Sequence, residues 1–349
     1  MLLSKRYVYN KNHKNNLLNN HISNLVKETK KIINEESNSR LIHEYCPLCK
    51  NDSSIIISET ERYSLPVTFQ ICEKCGLIYS SEYFTNKFAS NYYANIYNRF
   101  KGNKTADELF LNRTSEFAYC WIRYEYIKQY LGSDFKKINV VMEPGCNDGC
   151  NLVPFKNNGI EVYGCDYDEN RMKAGRNAGI NIISGDINVL LNTNVQADLI
   201  ILSHVVAHIP ELNKFLQKVK KLLTPDGYVY IETPGYKWQV QKSENLKQVE
   251  EYGIHNNFLS FLQFEFCYVF ELETLKLTME KNGFHLFKGD EIIRSIFQLD
   301  HRPSITKSTI TSNRGIEIYN YLNSVEIDYL SLKSSLLKKL KWILKIFFR

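Results

Sequence analysis

Between residues 136 and 235 the chain repeats one arrangement: a short apolar run, a loop, then a stretch with helical spacing. The apolar runs are Ile138–Met142, Val162–Cys165, Ile180–Ser184, Asp198–Leu202 and Tyr228–Glu232. Unbroken runs of this length suit strands covered on both faces, which predicts a parallel sheet between two helical layers. Ahead of the last run, Leu212, Phe215, Leu216, Val219, Leu222 and Leu223 fall on one helical face, and a Pro-Asp-Gly stop follows. The alternation predicts an α/β, doubly wound, Rossmann-like sheet. After Pro234 come an aromatic-rich stretch at Asn257–Phe270 and a helix near Leu272–Lys281 ending at Gly283. Two further strands, Phe284–Lys288 and Ile292–Leu299, suit an antiparallel edge.

The flanking segments read differently. Residues 1–40 are polar and rich in Asn and Lys, a partly ordered lead-in. Residues 41–80 hold two β-branched runs, Ile55–Ile57 and Val67–Ile71, parted by a polar turn as in a hairpin. Residues 81–135 are rich in Tyr, Phe and Asn, with helical spacing through Leu109–Tyr130, and form a helical connection. The sheet domain occupies 136–300, and 301–349 is a C-terminal extension.

With 349 residues, 44% hydrophobic and 23% charged, the chain is neither disordered nor a disulfide-dense miniprotein. Its net charge of +6 sits entirely in Ser331–Arg349, where Lys333, Lys338, Lys339, Lys341, Lys345 and Arg349 stand without an acid. The remainder is neutral, which argues against a nucleic-acid-binding surface. In the tail, Leu332, Leu336, Leu340, Ile343 and Phe347 fall on one stripe opposite the basic residues. Such a helix either packs back onto the protein or lies on anionic lipid. No apolar run reaches the ~18 residues of a membrane span, and the basic, Asn-rich start has no apolar signal core. The expectation is a cytoplasmic protein, with the tail as a candidate for peripheral contact at the inner face of the membrane.

Composition alone hides the chemistry that cysteine spacing reveals. Four of nine cysteines form two C-x-x-C pairs, Cys46/Cys49 and Cys72/Cys75. An odd count without a secretion signal does not suit a disulfide framework, whereas two such knuckles point four thiolates at one Zn²⁺. Four thiolates leave no open coordination position, so the ion is expected to be structural.

The first strand of the sheet runs into Glu143-Pro-Gly-Cys-Asn-Asp-Gly149. Gly145 lets the chain turn sharply and approach a ligand; Asn147 is the residue type that best tolerates positive φ after glycine. Gly149 is expected to open a helix whose free N–H groups face a carboxylate. The spacing matches neither G-x-G-x-x-G nor a P-loop. The second strand ends at Asp166, placed to accept ribose hydroxyls, and the third is followed by Asp186, near a base or as a helix cap. A nucleoside carrying a charged amino-acid end fits this order of groups, and S-adenosylmethionine is that molecule.

Taken together, CPLC, CEKCGLIY, VVMEPGCNDG, SHVVAHIPELNKF and FLQFEFCYVFELETL resemble the zinc-containing class I S-adenosylmethionine-dependent methyltransferases that act on nucleotide-activated sugars, notably the sugar C-methyltransferases. The resemblance covers residues 41–300. It implies a class I methyltransferase sheet behind an N-terminal zinc ribbon, with a C-terminal α/β extension. It implies zinc on the four cysteines and the cofactor on Glu143, Gly145, Cys146, Asn147, Gly149, Asp166, Asp186 and Ser203. The acceptor it implies is a nucleotide sugar or related glycan precursor. The relatives carry Tyr-His-Glu-His where this chain reads Gln263-Phe264-Glu265-Phe266, so only Glu265 carries over, together with His208 of A-H-I-P, as catalytic residues. Deprotonating carbon needs a positioned base; a hydroxyl attacking a sulfonium methyl needs mainly alignment. The expectation is therefore O-methylation ahead of C-methylation. The rival readings are an RNA methyltransferase guided by its zinc module and a cofactor-binding protein without turnover.

Overall fold

The computed structural model describes residues 2–10, 20–35, 40–101, 105–237, 257–300 and 313–347. A short 3-10 turn at Lys5–Tyr7 and helix α1 (Asn20–Glu35) come first. Both are packed rather than loose: Leu3, Tyr7, Leu25, Val26 and Ile33 are buried in the core of the N-terminal half. The polar composition of residues 1–40 concealed this, because a few apolar positions on one face of α1 suffice to dock it.

The N-terminal module contains β1 (Arg40–Ile42), β2 (Ser54–Thr60), β3 (Pro66–Cys72), β4 (Ile78–Ser80) and β5 (Glu82–Phe84). The expected hairpin is β2 against β3, antiparallel, with β4 on its other side. Strand β1 pairs with β5 and extends the module slightly beyond 41–80. The connection then forms α2 (Asn86–Asn95), α3 (Ala106–Thr114) and α4 (Tyr119–Leu131). The single helical stretch expected through 109–130 is thus broken at Ser115–Ala118. Thr105 and Glu108 close a capping box at the start of α3.

Downstream the order is β6 (Val140–Pro144), α5 (Val153–Asn157), β7 (Glu161–Asp166), α6 (Glu169–Asn177), β8 (Asn181–Ser184), α7 (Ile187–Leu191), β9 (Ala197–Ser203), α8 (Leu212–Leu222) and β10 (Leu223–Glu232). Then come α9 (Phe258–Phe261), β11 (Tyr268–Val269), α10 (Leu272–Lys281), β12 (Phe284–Lys288), β13 (Arg294–Leu299) and α11 (Arg314–Phe347). Seven strands form one sheet in the order β12-β13-β10-β9-β6-β7-β8. Neighbours pair in parallel except around β13, which is antiparallel to both β10 and β12. This is the mixed, doubly wound, Rossmann-like sheet expected from the sequence. The Pro-Asp-Gly segment lies within the first part of β10, where a register shift between Leu223 and Tyr228 absorbs it.

Both faces of the sheet are covered. One carries Leu212, Leu216 and Val219 of α8 with Leu275 and Met279 of α10; the other carries Tyr124 and Ile127 of α4 with Phe155 of α5. Each such side chain contributes about 1.5–3 kcal/mol by leaving water. The strand order reverses between β7 and β9, on either side of β6, which opens a crevice at the carboxyl ends of β6 and β9.

The two halves interlock. Strand β11 leaves the downstream half and pairs with β4, giving the module a four-stranded sheet ordered β11-β4-β3-β2. The first part of α11 also docks on the module, with Ile318 and Leu322 in its core and the Gly315 N–H bonded to Glu73 O at 2.9 Å. The described first part of α11 therefore packs on the N-terminal module. The apolar and basic stripes of the tail fall on side chains beyond the described residues. Among the described residues no helix is long and apolar enough to cross a membrane.

Candidate active site

The crevice is a cavity of about 480 Å³, within the size range of small-molecule sites. One end is built by the turn after β6. Gly145 has φ +73°, and a Cβ there would lie 2.9 Å from Val205 Cγ2, so only glycine lets the turn pass the loop after β9. Asn147 has φ +54°, as its residue type allows. Its N–H donates to Asp166 Oδ2 at 2.8 Å, tying the turn to the end of β7. The other Asp166 oxygen accepts from Tyr167 N and Asp168 N at 2.8 and 3.0 Å. Burial raises the Asp166 pKa, opposed by these backbone donors. Oδ2, with a single donor, keeps a second lone pair. Glu143, Gly145, Cys146, Asn147, Asp166 and Ser203 all line the cavity, as anticipated.

Two members of the anticipated set do not. Gly149 has its N–H bonded to Cys146 O at 2.9 Å, and a Cβ there would meet Ile182 Cδ1 at 2.8 Å. It therefore serves close packing, and it leads into a 3-10 turn and the five-residue α5 rather than an anion-binding helix start. Asp186 accepts from Asn188 N at 2.9 Å as the N-cap of α7, the cap role that its sequence position also allows, and it lies outside the cavity wall.

In place of helix dipoles, the connection sends two arginines into the cavity wall. Arg113 donates to Asn147 Oδ1 at 3.0 Å and to the buried Asp148 Oδ2 at 2.8 Å. Arg123 forks onto Glu232, both bonds at 2.8 Å, and reaches Asn151 Oδ1 at 3.0 Å. Burial opposes the Glu232 charge, yet His204 and Arg123 hold its carboxyl well below the usual range. Asn151 in turn donates to Glu143 Oε1 at 2.6 Å. Glu143 Oε2 is buried with no hydrogen-bond partner among the described residues, and burial pushes that carboxyl up to about 8. A buried carboxylate oxygen lacking a donor, beside two guanidinium groups, fits the ammonium and carboxylate of an amino acid. These residues thus suit the methionine end of the cofactor inferred from sequence. The arginines were missed because they sit in helices read only as packing; two isolated cations in an otherwise aromatic stretch were the available signal.

The opposite end is aromatic. His208 lies after β9 in a 3-10 turn, and its Nδ1 is 3.0 Å from the hydroxyl of Tyr93 in α2. Tyr97 and Phe266 stand edge-on to the imidazole, with ring centroids at 6.3 and 5.2 Å. Burial keeps the hydroxyls of Tyr93 and Tyr97 protonated well above neutral pH. Gln263 and Phe266 face this cavity, but Glu265 does not. The segment turns between them, with Phe266 N bonded to Gln263 O at 3.0 Å, and sends Glu265 into a neighbouring chamber. A direct role for Glu265 at the reacting atom is therefore not what the geometry gives. His204 has φ +57° in a turn, so it shares no helical face with His208.

Away from the cavity, the four thiol sulfurs of Cys46, Cys49, Cys72 and Cys75 all lie within 4.8 Å of one another. The shortest separations are 3.6 Å for Cys46–Cys75 and 3.4 Å for Cys49–Cys72, close to the ~3.8 Å edge of a tetrahedral zinc–thiolate site. Each pair is followed by a left-handed residue, Lys50 at φ +62° and Gly76 at φ +76°, so both knuckles fold alike. It is the only such ligand cluster among the described residues.

Residues 121–288 match a family described as a methyltransferase domain. Over 144 residues, 40% of this chain and 33% of the other, the sequence is 26% identical to the C-methyltransferase NovU of Streptomyces niveus. It is 24% identical over 132 residues to the ubiquinone biosynthesis O-methyltransferase of Bartonella tribocorum, covering 34% of this chain and 53% of that one. The chain thus spans about a third and about half of the length of these relatives. Among solved structures it is similar to the magnesium protoporphyrin IX methyltransferase of Synechocystis with bound S-adenosylhomocysteine, at 13% identity and TM-score 0.41, covering 62% of this chain and 100% of that one.

Proposed function

We propose that the methyltransferase domain at residues 121–288 makes this chain an S-adenosylmethionine-dependent enzyme that methylates a hydroxyl of a nucleotide-activated sugar or glycan precursor. The observation that carries the reading is the Tyr93–His208 pair, at 3.0 Å, in the wall of the same cavity as the Gly145 turn. The bound cofactor supplies an electrophilic methyl group on a sulfonium. Glu143, Arg113 and Arg123 would hold its amino-acid end, and Asp166 Oδ2 would accept a hydrogen bond from its ribose hydroxyls. His208, oriented by Tyr93, would take the proton of the acceptor hydroxyl. Tyr97 and Phe266 exclude water from that exchange.

C-methylation is a second reading, favoured by a specific observation. The tyrosine and histidine missing from Gln263–Phe266 are present at the same wall, delivered by α2 and the turn after β9. The C-methyltransferase relative from Streptomyces niveus supports this alternative. The four cysteines hold a structural Zn²⁺ in this proposal, since their sulfurs already stand at tetrahedral spacing. The basic tail is proposed to keep the enzyme near anionic lipid, where glycan precursors are assembled.

The test is incubation with labelled cofactor and a panel of nucleotide sugars, with RNA as control. An alkali-stable O–CH₃ resonance in the product is expected. A C–CH₃ signal on the ring selects the second reading, and a methylated nucleobase overturns both.

A further inference from the structure

Glu265 is the buried acid that the proposed chemistry leaves unused, and it faces a second chamber of about 250 Å³. This chamber adjoins the main cavity, because Tyr97 and Gln263 belong to the walls of both. Its far wall comes from the N-terminal module. Arg62, Tyr63 and Leu65 lie in the turn between β2 and β3, and Phe100 comes after α2. Tyr63 and Phe100 stack with centroids 5.4 Å apart and planes 19° apart, and the Arg62 guanidinium lies 4.6 Å from the Tyr63 ring.

Behind this turn Glu61 is wholly buried. One of its oxygens accepts from Tyr63 N and Leu65 N at 2.8 and 3.0 Å, which fixes the turn's shape; the other has no partner among the described residues. Burial pushes the Glu61 carboxyl up to about 8, opposed by the Leu65 N–H and reinforced by Glu265.

An aromatic floor with a carboxylate, an amide and a guanidinium around its rim suits a hydroxyl-bearing ring. Ring C–H groups lie on aromatic faces while hydroxyls meet the polar rim. We propose that this chamber binds a second hydroxylated ring of the acceptor, next to the ring that receives the methyl group, and that Glu265 and Gln263 grip its hydroxyls. The inference rests on the methyl-transfer reading for the direction of the acceptor, and it gives the N-terminal module a task in recognition. The second ring is either the ribose of a nucleotide sugar or the neighbouring sugar of a glycan.

Binding to the full chain saturated with S-adenosylhomocysteine tests it, using uridine diphosphate glucose and methyl β-lactoside as probes in saturation-transfer NMR and calorimetry. Glu265→Gln removes the charge without changing shape, and Leu65→Trp fills the chamber. At least one probe is expected to bind and to lose affinity about tenfold or more in both variants, with S-adenosylhomocysteine affinity unchanged. A response to the nucleotide alone identifies the ribose; a response to the disaccharide alone identifies the glycan. If Leu65→Trp loses cofactor affinity through misfolding, Glu265→Gln alone decides. Binding of neither probe, or equal binding by wild type and Glu265→Gln, overturns the proposal. Probe binding at the chamber without methyl transfer overturns the proposed function and leaves the chamber standing. Methyl transfer with an unaltered KM in Glu265→Gln does the reverse.

Discussion

The two ends of the main cavity are made in different ways. At the cofactor end the chain wraps the site with consecutive backbone: β6, the Gly145–Asn147 turn and the end of β7 lie within residues 140–166 and are joined by the Asn147–Asp166 bond. At the acceptor end no two wall elements are close in sequence. Tyr93 comes from α2, His208 from the turn after β9, and Phe266 from the segment before β11. A wall of backbone turns has its shape set by φ and ψ, whereas a wall assembled from distant side chains holds only while every supporting layer holds. The acceptor end should therefore fail first under perturbation, and the cofactor end should respond to changes in its own turn and in the Glu143, Arg113 and Arg123 side chains beside it.

Removing the metal gives the largest expected separation. The knuckles anchor β3 and β4, and β4 holds β11 directly after the Gln263–Phe266 wall. Structural zinc sites carry about 10–16 kcal/mol in small modules. Chelation or Cys72→Ser is expected to abolish turnover and lower thermal stability while S-adenosylhomocysteine still binds. Elemental analysis should give about one Zn per chain. Protein purified without chelator and free of zinc would remove the basis for this expectation.

A pair of single substitutions sharpens the contrast. His208→Ala should slow turnover about 10²–10⁴-fold, the range for loss of a general base, with cofactor affinity intact. Gly145→Val forces a branched residue to φ +73° with its Cβ 2.9 Å from Val205, so cofactor affinity should fall by at least about tenfold. Calorimetry and steady-state kinetics on both variants read the two ends separately. If both variants lose affinity and turnover in parallel, the two ends are not independent.

The smallest effect concerns pH. Glu143 has its pKa raised to about 8 by burial, and an ammonium at its open oxygen would favour the ionised form. Binding should then release a proton, so cofactor affinity should climb from pH 6 toward pH 8, by less than about tenfold per unit. The same raised pKa means that Glu143 favours the folded apo-protein fully below its unfolded value near 4.5 and loses that contribution as pH rises through about 8. Glu143→Gln should flatten both dependences. Calorimetry in buffers of different ionisation enthalpy measures the released proton.

The same division explains what could be read in advance. Gly145, Asn147 and Asp166 were legible because a turn after an apolar strand is a local pattern. The hairpin between the knuckles, and α10 at Leu272–Lys281, were legible for the same reason. Tyr93 and Tyr97 were not, since a Tyr-rich stretch reads as core until tertiary packing brings the Tyr93 hydroxyl to a histidine 115 residues away and sets the Tyr97 ring edge-on to it. Gly149 and Asp186 were drawn into the cofactor set by their place in the motif, and packing and capping claimed them instead. Glu265 was assigned by resemblance, and one turn of backbone placed it in the neighbouring chamber.

The pairing of Tyr79 with Tyr268 has a consequence during synthesis on the ribosome. All four cysteines have been translated by residue 75, so the proposed zinc site can fill early. Its last strand emerges about 190 residues later, a delay of about 10–40 s at ordinary elongation rates. Throughout that interval β4 presents an open edge to other nascent chains, the configuration that invites aggregation. Prematurely terminated chains ending before residue 268 should therefore accumulate as insoluble material even when zinc is abundant, and slower translation should lower the soluble yield of the complete protein.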